Sequence, residues 1–331
     1  MSKKLGLIIY KVNSTTGSDV SELVSQIKLS GRKGSASRTI DVTFIDDDTR
    51  NYQRINLELL KGYRCIFTWE GKEVFRGVFF KKIYSSDSKV VYKAYDFGIY
   101  LANNKDSFCY ENSTLTHIFK DICFKFGINY SFAYQTAYLI PALSKSQTTA
   151  WDALCDAMSQ QYLATGNRYY IDSSKDTLRL MKRIDNIKQW VLEPGSNLIS
   201  YSITISIESL KTRFKLYSNE DTVIGYSINH SLESNLGIMQ EIESCKESLT
   251  EAQVIERVSG RLQELIKVSE TIRVDSLGII DVISGVALYI SIPGLNIQQT
   301  YYVDSDTHTF TDNHHQMSLT LNKVNDSEFL K

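Results

Sequence analysis

Hydrophobic and polar residues alternate with a period of two through much of the first hundred positions. In Ser37–Ile45, Ile40, Val42 and Phe44 fall on one side and Thr39, Asp41 and Thr43 on the other, as in a strand with one buried face. Ile55, Leu57 and Leu59 alternate likewise, and Leu5–Tyr10 reads as a first strand. The basic start before it is followed by too short an apolar run, and by no small-residue cleavage site, to be a secretion signal. Glu70-Gly71-Lys72 joins two apolar runs as a hairpin turn, and Ser85–Ser88 joins the next two,. About five to seven short strands with tight turns predict a small barrel or sandwich.

The period changes near Asn103. Thr114 is placed to cap a helix carrying Leu115, Ile118, Phe119, Ile122 and Phe126 on one face, and Gly127 ends it,. Thr149 with Asp152 caps a second helix, in which Trp151, Leu154, Cys155, Met158 and Tyr162 recur at helical spacing as the apolar face, with Gly166 closing it,. A hairpin of Arg168–Ile171 and Thr177–Met181 follows. Pro194-Gly195-Ser196-Asn197 is the strongest boundary signal,. Beyond it Ile199, Tyr201, Ile203 and Ile205 alternate, and Arg213–Leu216 and Thr222–Tyr226 read as strands. Ser248-Leu-Thr-Glu251 reads as a capping box before a helix near 249–267, with Val254, Val258, Leu262, Leu265 and Ile266 on one stripe and Glu256, Arg257, Arg261 and Glu264 solvated. A closing β-unit runs from Arg273 to Val324. The expected organisation is α+β and β-rich: 1–103 and 197–324 as β domains, an α+β domain at 104–196 inserted between them, and 325–331 as a frayed tail,.

One pattern recurs at long range. Gly62 and Gly71 bracket an apolar run, followed by Val74–Phe80 and Val90–Tyr95; Gly285 and Gly294 bracket another, followed by Thr300–Val303 and Met317–Asn322. The glycine interval is nine residues in both. A small β-unit carried twice points to symmetry and assembly rather than to a catalytic cleft.

Composition narrows the classes. A length of 331 residues accommodates two or three domains at roughly 100–200 residues each,. A net charge of −1 lacks the basic footprint of a nucleic-acid binder,. With 20 Tyr and 14 Phe against 3 Pro, the chain suits strands and aromatic-rich interfaces,. No run of 18 apolar residues predicts a transmembrane helix,. Cys65, Cys109, Cys123, Cys155 and Cys245 are odd in number, scattered and without metal-ligand spacing, which fits reduced thiols in a cytosol.

Candidate chemistry is sparse. Asp46-Asp47-Asp48 offers carboxylates for glycoside cleavage or calcium, but adjacent acids do not provide a separated acid and base, and the EF-hand spacing is missing,. A solvated loop is the simpler reading. His308, His314 and His315 form a His-rich turn suited to zinc or iron, or simply a polar hairpin; His117 and His230 stand apart,. No G-x-S-x-G, C-x-x-C or H-E-x-x-H occurs, and Gly31-Arg-Lys-Gly34 is neither a P-loop nor a dinucleotide turn,. Trp151 reads as core; Trp69, just before a turn, is placed for a contact surface or for sugar stacking; Trp190 is unassigned. No catalytic residue, cofactor or metal is expected.

Several segments resemble, in order, the baseplate hub proteins of contractile phage tails and tail-like bacteriocins, in particular the XkdQ/YqbQ type of Gram-positive prophages. They include Asp19–Val24, Ala36–Phe44, Phe75–Val78, Ala94–Leu101, Asn112–Phe119 with Phe126–Ile128, Thr148–Asp152 with Thr165-Gly166, Asn197–Ser200, Tyr301–Val303, His308–Phe310 and His315–Met317. The resemblance implies a non-enzymatic homotrimer whose subunits carry two tail-tube-like β-barrels flanking an α+β domain. Three chains then present six similar barrels to a hexameric tail tube and a threefold end to a spike. Tail tube protein, spike protein and baseplate wedge or tape-measure-associated proteins are the implied partners, with no membrane and no sequence-specific nucleic acid. Assembly in the bacterial host cytoplasm into a virion or tail-like particle follows, and no length remains for a fused lytic domain. Exposure and flexibility suggest three contact regions: Ser30–Ser37 with Arg32 and Lys33; Trp69–Lys72 with Glu70; and Asp304–Gln316 with Asp306, His308, His314 and His315. The alternatives are a tail-associated cell-wall hydrolase and a carbohydrate-binding module.

Overall fold

The computed structural model describes residues 4–45, 62–84, 89–183, 187–218, 222–245 and 249–323. The expected strand around Ile55–Leu59, the Asp46–Asp48 run, the Ser85–Ser88 turn, Ser248 and the tail lie outside the described residues.

The first part is antiparallel β: β1 (Leu5–Tyr10), β2 (Gly17–Asp19), β3 (Val24–Arg32), β4 (Thr39–Ile45), β5 (Arg64–Trp69), β6 (Lys72–Tyr84) and β7 (Lys89–Tyr95). Its alternation is real: Ile40 and Val42 are fully buried and Phe44 nearly so, in one core with Leu7, Ile27 and Phe67. The β5–β6 hairpin turns at Glu70 (φ 50°) and Gly71 (φ 77°), the double left-handed conformation that matches strand twist and favours glycine at the second position.

A second core, built from residues between Leu101 and Leu180, lies beneath α1 (Ile99–Asn103), β8 (Lys105–Thr114), α2 (Leu115–Lys125), β9 (Tyr130–Phe132), β10 (Leu139–Thr149), α3 (Ala150–Thr165), β11 (Tyr169–Ser174) and β12 (Thr177–Lys182). The caps are as read. Thr114 Oγ1 accepts from the His117 N–H at 3.2 Å and Thr149 Oγ1 from the Asp152 N–H at 3.0 Å; Gly166 closes α3 in the left-handed region. The apolar face of α3 only partly matches the expected one. Ala150, Ala153, Leu154, Ala157 and Gln161 are buried, whereas Trp151, Cys155, Met158 and Tyr162 are only half-buried. Small alanines let the helix lie close to its neighbours, and of the expected residues Leu154 is fully buried while Trp151 and Met158 pack half-buried against the same core.

After β13 (Ile187–Leu192) and β14 (Leu198–Ser206) come β15 (Arg213–Tyr217), β16 (Val223–Ile228), α4 (His230–Leu236), β17 (Gln240–Ser244) and α5 (Glu251–Leu265), then β18 (Ser269–Leu277), β19 (Ala287–Ile292), β20 (Ile297–Thr311) and β21 (His314–Lys323). The chain divides into two compact units, Met1–Tyr201 with Arg273–Lys331, and Ser202–Ile272. In the smaller, Val254, Val258 and Leu262 of α5 pack with Phe214, Leu216 and Cys245. The capping box at the start of α5 is formed by Thr250 with Gln253, two residues after the expected start: Thr250 Oγ1 accepts from the Gln253 N–H, and Gln253 Oε1 from the Thr250 N–H at 2.9 Å. A cap must sit one residue before the first helical turn, and that residue is Thr250.

Strand order repeats. The path β3-β4-β7-β6-β5 in the first part has a counterpart in β14-β18-β21-β20-β19, with an extra strand beside β5 and β19, namely β1 and β13. β5-β6-β7 and β19-β20-β21 are both antiparallel meanders. The glycine pattern therefore marks equivalent elements, although the turns differ: Glu70-Gly71 in one, and Pro293–Leu295 followed by left-handed Asn296 in the other. The outer strands differ too, β1 running antiparallel to β5 and β13 parallel to β19. The two copies join where the second half of β20 pairs with β3, from Ser305 opposite Arg32 to Phe310 opposite Ile27.

Candidate interface

The surface is organised by a buried polar cluster. Asp306 on β20 has a fully buried side chain and takes a two-pronged contact from Arg38, which stands one residue before β4: Nη1 to Oδ1 at 2.9 Å and Nη2 to Oδ2 at 2.5 Å. The Ser284 N–H donates to the same carboxylate at 2.6 Å. Burial alone would raise the Asp306 pKa, but the Arg38 charge and hydrogen bonds, with help from His308 and Ser284, hold it below the usual carboxylate range,. Asp96 caps the other side, accepting from the Arg38 and Gly98 N–H groups at 3.0 and 2.9 Å; burial pushes its carboxyl up to about 7 against those bonds and the Arg38 charge.

The two inward histidines complete the cluster. The Val282 carbonyl can only accept, so His308 Nε2 carries the proton and donates to it at 2.9 Å. His308 Nδ1 must then accept from His315 Nε2–H, also at 2.9 Å,. Burial lowers both pKa values, that of His315 to about 3 with the neighbouring His308 adding to the effect. The His315 ring stacks on Phe310 at 4.1 Å, and Phe310 in turn meets Phe67 and Trp69 at 4.8 and 5.0 Å.

These contacts correct part of the expected interface. Trp69 is 4% exposed because it shares the inward face of β5 with Cys65 and Phe67; it offers no sugar-stacking platform. Asp306 and His308 face the interior of the sheet and are buried as well. His308 and His315 lie on paired strands rather than in a His-rich turn, which is Asp312-Asn313. Glu70, Lys72 and His314 are exposed, and the structure brings their two turns together: Lys4 forms an ion pair with Glu70 at 2.6 Å while its N–H reaches Asn313 Oδ1 at 3.4 Å. Arg32 and Lys33 are exposed near the other end of the same hairpin, where the Lys33 N–H donates to the Asp304 carbonyl at 2.6 Å. Asp304 and Asp312 stand eight positions apart along extended chain, roughly 25 Å.

A further surface signal lies outside the expected residues. Ile199, Tyr201, Ile205 and Ile207 are all exposed, Ile205 by 69%. Among the described residues Ile199, Tyr201 and Ile205 alternate along β14, the end strand of its sheet, Ile207 follows just after it, and Trp190 and Val191 on β13 are exposed too. Their alternation forms a strand, but only Leu198 at its start is buried, and among the described residues nothing covers its apolar side. A free edge with an apolar face is a pairing or docking surface.

Comparison with known proteins agrees with this architecture. A model of the YqbQ-like family matches residues 27–322. YqbQ of Bacillus subtilis (strain 168) is 30% identical over 310 residues, covering 92% of this chain and 94% of its own. The phage-like element PBSX protein XkdQ of the same organism is 31% identical over 309 residues with the same coverage. Among solved structures, the 43 kDa tail protein of prophage MuSo2 from Shewanella oneidensis superposes with a TM-score of 0.70 at 15% identity, over 97% of this chain and 98% of that one. A tail protein from Neisseria meningitidis MC58 gives 0.67 at 9% identity, with 97% of each chain covered. The Escherichia coli c3393 protein, a type VI secretion system component described as similar to T4 tail proteins gp27 and gp5, gives 0.55 at 9% identity, covering 92% of this chain and 74% of that one. The fold is thus that of phage tail proteins, and by sequence the chain belongs to the YqbQ-like family.

Proposed function

We propose that this protein is a structural baseplate hub subunit of a contractile tail-like particle, three copies of which join the tail tube to the spike. The observation that carries the reading is the repeated strand order β3-β4-β7-β6-β5 and β14-β18-β21-β20-β19. A chain holding two copies of one β-unit turns a trimer into a ring of six similar units, the symmetry a hexameric tube requires, while the copies' unlike outer strands leave the other end threefold. In this reading each β-unit closes into a tail-tube-like barrel, 1–103 and 197–324, with 104–196 between them. The apolar side of β14 supplies contacts between subunits, and the exposed Arg32, Lys33, Glu70, Lys72 and His314 supply polar contacts to tube, spike or wedge. The role is non-enzymatic and is fulfilled in a particle assembled in the bacterial cytoplasm.

Imaging of assembled particles at side-chain resolution tests the proposal. Three copies around the axis at the tube–spike junction are expected; a location elsewhere in the particle, or sixfold occupancy, overturns it.

A further inference from the structure

A cleft of about 240 Å³ lies between the start of β6, the β11–β12 hairpin and the segment joining β18 to β19. Its sides are built from matched charges. Arg76 Nε and Nη2 hold the two oxygens of Glu73 at 2.9 and 2.8 Å, and Arg179 Nε and Nη2 hold those of Asp172 at 2.8 and 2.6 Å. Arg38 also borders the cleft, its charge taken up by Asp306. Asp96, beside it, has a carboxyl that burial pushes up to about 7. Lys175, at the exposed hairpin turn, stands outside these pairs. The cleft therefore carries little net charge and has no strong attraction for a free ion.

The pairing leaves hydrogen-bonding capacity behind. A guanidinium has five N–H donors, and a side-on grip through Nε and Nη2 uses two. Among the described residues the Nη1 groups of Arg76 and Arg179 have no acceptor, and each gripped carboxylate keeps further lone pairs. Each pair thus sets unused donors and acceptors side by side. The floor is apolar: Leu29 and Phe75 are buried beneath the cleft, and Ile280 and Ile283 border it.

We propose that this cleft binds a neutral saccharide in its pyranose form. Neighbouring hydroxyls of such a ring each donate and accept, which matches the mixed offer of an arginine–carboxylate pair, and its C–H face suits the apolar floor. An anion or a cation would meet charges that are already matched. The inference rests on the cleft alone and is independent of the hub assignment.

The test is saturation-transfer nuclear magnetic resonance on the full chain with small probes at millimolar concentration. These are the methyl pyranosides of glucose, galactose, mannose and N-acetylglucosamine, with open-chain sorbitol, acetate and a blocked alanine dipeptide for comparison. At least one pyranoside is expected to bind at least tenfold more tightly than every comparison probe. Glu73→Ala with Arg76→Ala, and separately Asp172→Ala with Arg179→Ala, are each expected to weaken it tenfold or more. The Glu73–Arg76 pair is part-exposed, so its loss is expected to leave the thermal midpoint nearly unchanged,. No binding of any pyranoside, equal binding of sorbitol, preference for acetate or the dipeptide, or parent-like affinity without the Glu73–Arg76 pair overturns the proposal.

Discussion

Asp306 shows how one carboxylate ties the two copies of the β-unit together. It sits on β20 of the second copy, and its partner Arg38 leads into β4 of the first. Removing one member of a buried pair leaves the other charge uncompensated, which costs about 3–5 kcal/mol. Asp306→Asn is therefore expected to lower stability by about that amount in urea unfolding, and Arg38→Met with Asp306→Leu to recover most of it. The His308–His315 pair makes a pH prediction. Both rings have pKa values below the ordinary 6.5 in the folded state. Unfolded chains take up protons first as pH falls, so the pair's contribution is whole above about 6.5 and is lost progressively toward about 3,. Asp96, raised to about 7, works in the opposite sense over part of this range, so the parent is compared with His315→Phe. The stability of the parent relative to this variant is expected to fall as pH drops from 6.5 toward 3; a constant difference contradicts the tautomer assignment.

At the scale of elements, the informative packing is the least conspicuous in sequence. Ala153 and Ala157 are fully buried on α3, and Ala157→Leu is expected to cost about 1–3 kcal/mol through overpacking, read as a lowered midpoint of chemical unfolding. Thr250→Ala, which removes the cap of α5, is expected to cost about 1 kcal/mol. Much was legible from the chain alone. Ile40, Val42 and Phe44 announce β4 because a strand has only two faces, and Thr114, Gly127, Thr149 and Gly166 announce helix ends because orphan backbone groups need those residues. The face of α3 was legible only in part: Leu154, Trp151 and Met158 do meet the core, but Ala150, Ala153, Ala157 and Gln161 make up most of its buried part, and hydropathy weights bulk over fit. Trp69 was misplaced for a related reason. Its nearness to a turn suggests exposure, but its parity with Cys65 and Phe67 decides its side, and its cover, Phe310, lies 241 positions away. The Arg38–Asp306 pair is invisible in sequence because nothing local links the two residues.

On the scale of the whole molecule, the pattern of two glycines bracketing a strand proves to mark corresponding meanders in a repeated strand order. The unlike turns after Trp69 and Ile292 show that correspondence of topology survives when local turn chemistry does not. The same scale explains the exposed face of β14. Leu198, at the start of that strand, is buried, whereas Ile199, Tyr201 and Ile205 are not; alternation reveals that one side seeks cover, but not whether the cover belongs to the same chain. If three chains supply it to one another, Ile199→Asp with Ile205→Asp disrupts association while leaving each chain folded, because neither side chain contributes to an internal core. Sedimentation equilibrium of the purified protein and this double variant, with thermal unfolding as the folding control, is the most direct test. Three chain masses for the parent and one for a variant with an unchanged thermal midpoint are predicted; a parent that remains at one chain mass at micromolar concentration contradicts the account.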